Sequence, residues 1–164
     1  MDQFVVGIDV GGQTTKLGVV DARGTVLAQT VIRTDTHHEV EKYIAEVGEA
    51  LRRIIAEAGA EGNIRGIGVG APNANYYTGT IENAVNLVWG GTQSIPFAKL
   101  LSEEMGGLPV SLTNDANAAA VGEMTYGAAR GMKNFIMITL GTGVGSGIVI
   151  NGEVVYGHDG FAGE

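Results

Sequence analysis

Residues 135–157 read FIMITLGTGVGSGIVINGEVVYG: an apolar run, glycines at every second position from Gly141 to Gly147, then a second apolar run. Residues 4–29, FVVGIDVGGQTTKLGVVDARGTVLAQ, follow the same plan. Each has an apolar strand, a glycine turn, a second strand opening on Gly18 or Gly147, a tight turn at Gly24 or Gly152, and a third strand. The chain thus repeats its own meander after about 130 residues, and an internal repeat is an architectural signal. It predicts two copies of one subdomain facing each other, each presenting a glycine hairpin to the cleft between them. Glycine accepts positive φ and, having no side chain, lets backbone N–H groups approach an anion closely. Two such turns can grip a polyphosphate.

A single glycine-rich turn is more often structural than functional, so the alternatives matter. GTGVGSG invites a dinucleotide reading, but that fingerprint needs a helix directly after the loop, and here GIVINGEVVYG follows, which is strand. A phosphate loop of the Walker type is excluded because the chain has no Gly-Lys-Ser or Gly-Lys-Thr. What separates these turns from ordinary hairpins is their duplication, together with an acidic neighbour. Asp9 precedes Gly11 and Gly12; beside a phosphate loop its carboxylate is placed to hold Mg2+ through water, the ligation Mg2+ prefers.

Composition narrows the classes. At 164 residues, 45% hydrophobic and 17% charged, with a mean hydropathy of +0.15, the chain can bury a core and is neither disordered nor membrane-spanning. No run reaches the roughly 18 apolar residues of a spanning helix, and MDQFVVGIDV lacks the basic start of a signal peptide. A cytoplasmic location is expected. The net charge of −8 includes no Lys/Arg cluster, which argues against a nucleic-acid partner.

Outside the repeat, strands and helices alternate. Residues 4–10 and 16–34 read as strands, the latter folded at Asp21-Ala22-Arg23-Gly24. Thr36 followed by Glu39 reads as a capping box, opening a helix whose Val40, Tyr43, Ile44, Val47, Leu51, Ile54, Ile55 and Ala58 share one face. A buried strand at 64–72, a helix from Ser94 to Met105 with Pro96 in its first turn, a strand at 108–115 and an alanine-rich helix capped by Asn114-Asp115 follow. The fold class is α/β.

With these elements placed, GIDVGG and GVVD near the start, NDANAAAVGE (114–123), LGTGVGSG (140–147) and GFAGE (160–164) resemble the ROK (repressor, ORF, kinase) family, closest to its bacterial glucokinases. The resemblance covers essentially the whole chain. It implies the actin-like ATPase (ribonuclease H-like) fold, with a complete first lobe at 1–114 and the beginning of a second at 115–164. It also implies that the chain is an N-terminal portion of a longer kinase: in the family, a cysteine-rich zinc loop and most of the second lobe come after the position of Glu164. The fragment alone is expected to be inactive, and the full-length protein to be a homodimer.

The implied activity is transfer of the ATP γ-phosphoryl group to a sugar, which asks a protein for positioning, charge neutralisation and a proton acceptor. Asp115 matches the family's catalytic base; taken alone it would be an ordinary helix cap, and the two roles agree because a helix N-terminus favours negative charge. Asn114, Asp115 and Glu164 match residues that bind sugar hydroxyls. Asn73 falls on the sugar-facing loop, where the family often reads Pro-Gly. For nucleotide phosphates the resemblance points to Asp9, Gly11, Gly12, Gln13, Thr14, Thr15, Gly141, Thr142, Gly143, Gly145 and Gly147, with Asp9 on Mg2+. Gln13-Thr14 depart from the family's Thr-Lys, leaving open whether the Thr14 or Thr15 hydroxyl meets phosphate. An N-acylhexosamine kinase or fructokinase is the rival within the class. A sugar-responsive repressor is the rival outside it, and would carry a helix-turn-helix before the first glycine motif. His37, His38 and Glu123 read as solvated residues and Trp89 as a packing aromatic.

Overall fold

The computed structural model describes residues 3–141 and 143–164. The first meander is β1 (Phe4–Val10), β2 (Thr14–Asp21) and β3 (Val26–Arg33), all antiparallel. Its β2–β3 turn needs Gly24 at φ 85° and is tied by Asp21, whose carboxylate accepts from the Arg23 and Thr25 amides at 2.9 and 2.8 Å. Donation from Thr25 holds that carboxyl below the ordinary Asp range.

Next come α1 (Val40–Glu57), β4 (Ile64–Gly70), β5 (Ala74–Asn75), β6 (Thr80–Glu82), β7 (Ser94–Ile95), α2 (Phe97–Glu104) and β8 (Val110–Thr113). β4 joins β1 in parallel and β8 joins β4 in parallel, giving a five-stranded sheet ordered β3-β2-β1-β4-β8. The alternation of β1 and β2 turns Val6, Ile8, Val10, Leu17 and Val19 to one face, where α1 lays down Tyr43, Val47, Leu51 and Ile54. Each such side chain is worth about 2 kcal/mol when buried. Trp89 belongs to this core, stacked on Tyr43 at 4.8 Å and Phe97 at 5.7 Å between centroids.

Two local expectations are corrected, and one small sheet is new. The capping box does not form: α1 begins after Glu39, which makes no side-chain cap and instead pairs with Lys42 at 3.0 Å, leaving Thr36 a turn upstream. The second helix starts at Phe97, not Ser94, because Ser94 and Ile95 pair with Glu82 and Ile81; Pro96 is the residue before the helix. Finally, β5-β6-β7 form a small antiparallel sheet that the sequence did not reveal, since two- and three-residue strands carry no period.

After α3 (Asp115–Tyr126) the second meander appears as β9 (Phe135–Leu140), β10 (Val144–Ile150) and a two-residue β11 (Glu153–Val154). Its register reproduces the first. The pairs Ile136↔Ile148, Ile138↔Ser146 and Leu140↔Val144 answer Val6↔Val19, Ile8↔Leu17 and Val10↔Thr15. An Asn151-Gly152 turn with positive φ at both residues, 55° and 82°, closes β10 onto β11.

Candidate functional site

The two glycine bends open into one hollow. Gly11 and Gly12, between β1 and β2, and Gly141 and Gly143, between β9 and β10, line the same cavity of about 420 Å3, together with Gly145 at the start of β10. Each bend is closed by its own backbone: Gly11 N–H donates to Thr14 O at 3.0 Å and Gly141 N–H to Gly143 O at 2.9 Å. A Cβ added to Gly11 would lie 2.9 Å from Thr14 O, and one on Gly12 3.1 Å from Asn86 O, so both positions depend on having no side chain.

Asn73, Asn114, Asp115 and Glu164 line this cavity as well, four of the residues expected at the sugar. Asn114 is the N-cap of α3 and almost fully buried. Its Oδ1 accepts from Asn117 N–H at 2.7 Å, and its Nδ2 donates to Glu164 Oε1 at 2.8 Å. Glu164 is clipped in place from behind: Gly163 O accepts from both the amide and the hydroxyl of Ser146, at 3.1 and 2.7 Å. Gly163 adopts φ 94°, and a Cβ there would stand 2.5 Å from Ser146 O, so only glycine permits this clip. Asn73 takes φ 53°, a left-handed conformation that Asn tolerates better than most residues, and its carbonyl accepts from Glu82 N–H at 2.9 Å.

Asp115 follows the cap as the first residue of α3, and its side chain is exposed into the hollow. It also faces a second space of about 420 Å3 together with Asp9, Thr139 and Gly70. The two spaces share Asp115 and Thr139, so Asp9, at the end of β1, and Asp115 flank a continuous depression. Asp9 has Lys16 Nζ 4.0 Å away, with both side chains exposed, a contact too loose and too wet to hold the carboxylate. No three His, Cys, Asp or Glu side chains gather as a metal cage among the described residues. A Mg2+ ion carried by a polyphosphate needs only one or two carboxylates and keeps its waters, which this donor set fits.

Two expected phosphate contacts are corrected. Thr15 alternates to the core side of β2, where it is fully buried and its Oγ1 lies 2.7 Å from Thr34 Oγ1 and 2.6 Å from Tyr43 Oη. Burial raises the pKa of that Tyr43 phenol, so it stays a neutral partner. Gly147 does not line the hollow; a Cβ there would sit 2.7 Å from both Ala116 O and Ala120 Cβ, so its role is to let α3 lie close on β10. Gln13 and Thr14 are exposed on the first bend, outside the lining. Thr142 lies outside the described residues.

Thr139 and Asn86 line the hollow without having been singled out from sequence. A signal for Thr139 existed: under the repeat it is the counterpart of Asp9. Asn86 sits in a loop with no repeat partner. His37, taken as solvated, instead contacts Glu46 Oε2 through Nε2 at 2.9 Å, away from the site.

A sheet ordered β3-β2-β1-β4-β8, followed by a second glycine meander across a shared cleft, defines the actin-like ATPase fold. Within it the chain belongs to the ROK family, whose family model matches residues 5–164. It is 41% identical over 99% of its length to a glucokinase of Halalkalibacterium halodurans, covering 49% of that protein. A crystal structure of a ROK family glucokinase from Streptomyces griseus, in complex with glucose and AMPPNP, superposes with a TM-score of 0.79 at 33% identity over 98% of this chain and 49% of that one. A putative xylose repressor of Caldicellulosiruptor sp. is 33% identical, with 98% of this chain and 40% of the relative covered. The chain therefore spans about half the length of the curated relatives it matches.

Proposed function

We propose that the complete protein is an ATP-dependent hexose kinase that transfers the γ-phosphoryl group to the 6-hydroxyl of glucose. The observation that carries this reading is the convergence of both glycine bends and Asp115 on one hollow. The bends offer backbone N–H groups to the nucleotide's phosphates. Asp9 would hold Mg2+, which would supply neutralisation of the nucleotide's phosphate charge. Asn73, Asn114 and Glu164 bind and orient the sugar, the last two as a hydrogen-bonded pair. Asp115 accepts the 6-hydroxyl proton as the new O–P bond forms and the bond from the γ-phosphorus to the bridging oxygen of ADP breaks. A base so placed contributes on the order of 10²- to 10⁴-fold in rate.

The lobe boundary falls at 114/115, since α3 packs against β10 of the second meander. No described helix is long and apolar enough to cross a membrane. The repressor relative keeps a second reading open, in which the hollow senses a sugar without phosphorylating it. Assaying the complete protein with ATP against glucose, mannose, fructose and N-acylhexosamines separates these: glucose phosphorylation supports the kinase, a preferred rival sugar replaces glucose, and sugar binding without turnover supports the repressor.

A further inference from the structure

The β5-β6 hairpin reaches across to the loop that follows β11. Tyr76 stacks on Tyr156 with ring centroids 4.0 Å apart and planes 4° from parallel, and Tyr77 meets Tyr156 edge-on at 6.0 Å. Hydrogen bonds flank the rings: Tyr77 Oη donates to Gly157 O at 3.0 Å, and Nδ2 of the buried Asn75 donates to Asp159 O at 2.9 Å. Asn75 is itself held, since its Oδ1 accepts from Tyr77 N–H at 3.0 Å. The loop accommodates it with glycine: Gly160 adopts φ 92°, and a Cβ there would lie 2.6 Å from Asn75 Oδ1. Three tyrosines and one amide thus clasp a hairpin that precedes α3 to a loop that follows the second meander.

Each end of the clasp leads directly to a residue of the hollow. Asn73 stands two positions before Asn75, and its carbonyl is bonded to β6 through Glu82 N–H. Glu164 stands five positions after Asp159, and the chain is folded back toward it: Ala162 N–H donates to Tyr156 O at 3.0 Å and Glu164 N–H to Phe161 O at 3.2 Å. Asn73 and Glu164 line the hollow, whereas Asn75, Tyr76, Tyr77 and Tyr156 do not. Among the described residues, the glycine bends share no hydrogen bond with the clasp. We propose that Asn75, Tyr76, Tyr77 and Tyr156 are positioning residues for the sugar, holding Asn73 and Glu164 at the separation a bound hexose requires while leaving nucleotide binding alone. The proposal rests on the hexose kinase reading. A clasp formed beforehand spares the sugar the cost of ordering both segments, and an aromatic pair is worth about 2- to 10-fold in an equilibrium constant.

The test is a double-variant cycle in the complete protein: Tyr76→Ala, Tyr156→Ala and both together, titrated with glucose and separately with a non-hydrolysable ATP analogue. Each single variant should weaken glucose binding about 3- to 10-fold and raise the glucose KM, with kcat within about twofold and the Kd of the analogue unmoved. The double variant should bind glucose no more weakly than Tyr156→Ala alone, because both changes remove one stack. Tyr76→Phe keeps the ring and should bind glucose like the parent. Amide exchange reads the clasp without ligand: the Ala162 and Glu164 amides should exchange faster in both alanine variants. Unchanged glucose affinity, additive losses, an equal loss of nucleotide affinity or unchanged exchange each overturns the proposal. A parent protein that binds no hexose while the exchange difference persists overturns the kinase reading, and the sugar role of the clasp with it.

Discussion

The two meanders share a register yet meet opposite surroundings. In the first, Val6, Ile8 and Val10 are 1%, 5% and 1% exposed beneath α1; their counterparts Ile136, Ile138 and Leu140 are 63%, 59% and 82% exposed. On the reverse faces the relation inverts, with Gly147 pressed by α3 and its counterpart Gly18 uncovered. A strand's alternation therefore decides which side is apolar, and the neighbouring helices decide which side is dry. In the first copy one apolar face is sealed by local chain. In the second the equivalent face carries an aliphatic row with no helix on it among the described residues.

The largest break in the symmetry is chemical: Asp115 sits at the head of the helix that joins the copies. Asp115→Asn in the complete protein should lower kcat by roughly 10²- to 10⁴-fold while glucose affinity changes little, since the amide retains an acceptor for the sugar hydroxyl. Steady-state kinetics with direct glucose titration checks this, and retention of most turnover removes Asp115 from the base role. Next in size, Ile8→Ala should cost about 2–5 kcal/mol by urea unfolding, whereas Ile138→Ala in the 164-residue chain should stay within about 0.5 kcal/mol. Equal costs would mean that the bare face is covered in solution.

A smaller effect separates the glycines. Gly147→Val drives a side chain into Ala116 and Ala120 and should cost about 1–3 kcal/mol while loosening α3, visible as faster amide exchange in that helix. The smallest concerns the hairpin turns. The folded-state pKa of Asp21 is depressed, so its contribution is present above the ordinary Asp pKa and lost as pH falls through the lower folded value. Protection of the Thr25 amide should drop over that acid range, and Asp21→Asn should remove the pH dependence. The Asn151-Gly152 turn, which has no carboxylate, should show none.

What the sequence disclosed and what it hid divide along physical lines. The strands of both meanders and the amphipathic face of α1 were legible because period-2 and period-3.6 patterns survive wherever one side is apolar. The convergence of Gly11, Gly12 and Gly141 was legible through the repeat, and Asp115 entered through the resemblance of NDANAAAVGE to the family. The small sheet β5-β6-β7 was hidden because its strands are too short to carry a period, and the capping box misled because Glu39 is held by Lys42. Thr15 and Gly147 sit in or beside glycine-rich motifs, yet neither lines the hollow: strand parity turns Thr15 into the core, and α3 covers Gly147, although Gly145 on the same side of β10 does line it. Parity counted from Leu17 could have excluded Thr15.

The most direct test is a crystal structure of the complete protein with glucose and a non-hydrolysable ATP analogue. The account predicts phosphates lying between the Gly11-Gly12 and Gly141–Gly145 bends, with the sugar's 6-hydroxyl hydrogen-bonded to Asp115. Phosphates resting on one bend alone, or a 6-hydroxyl beyond the reach of Asp115, would contradict it.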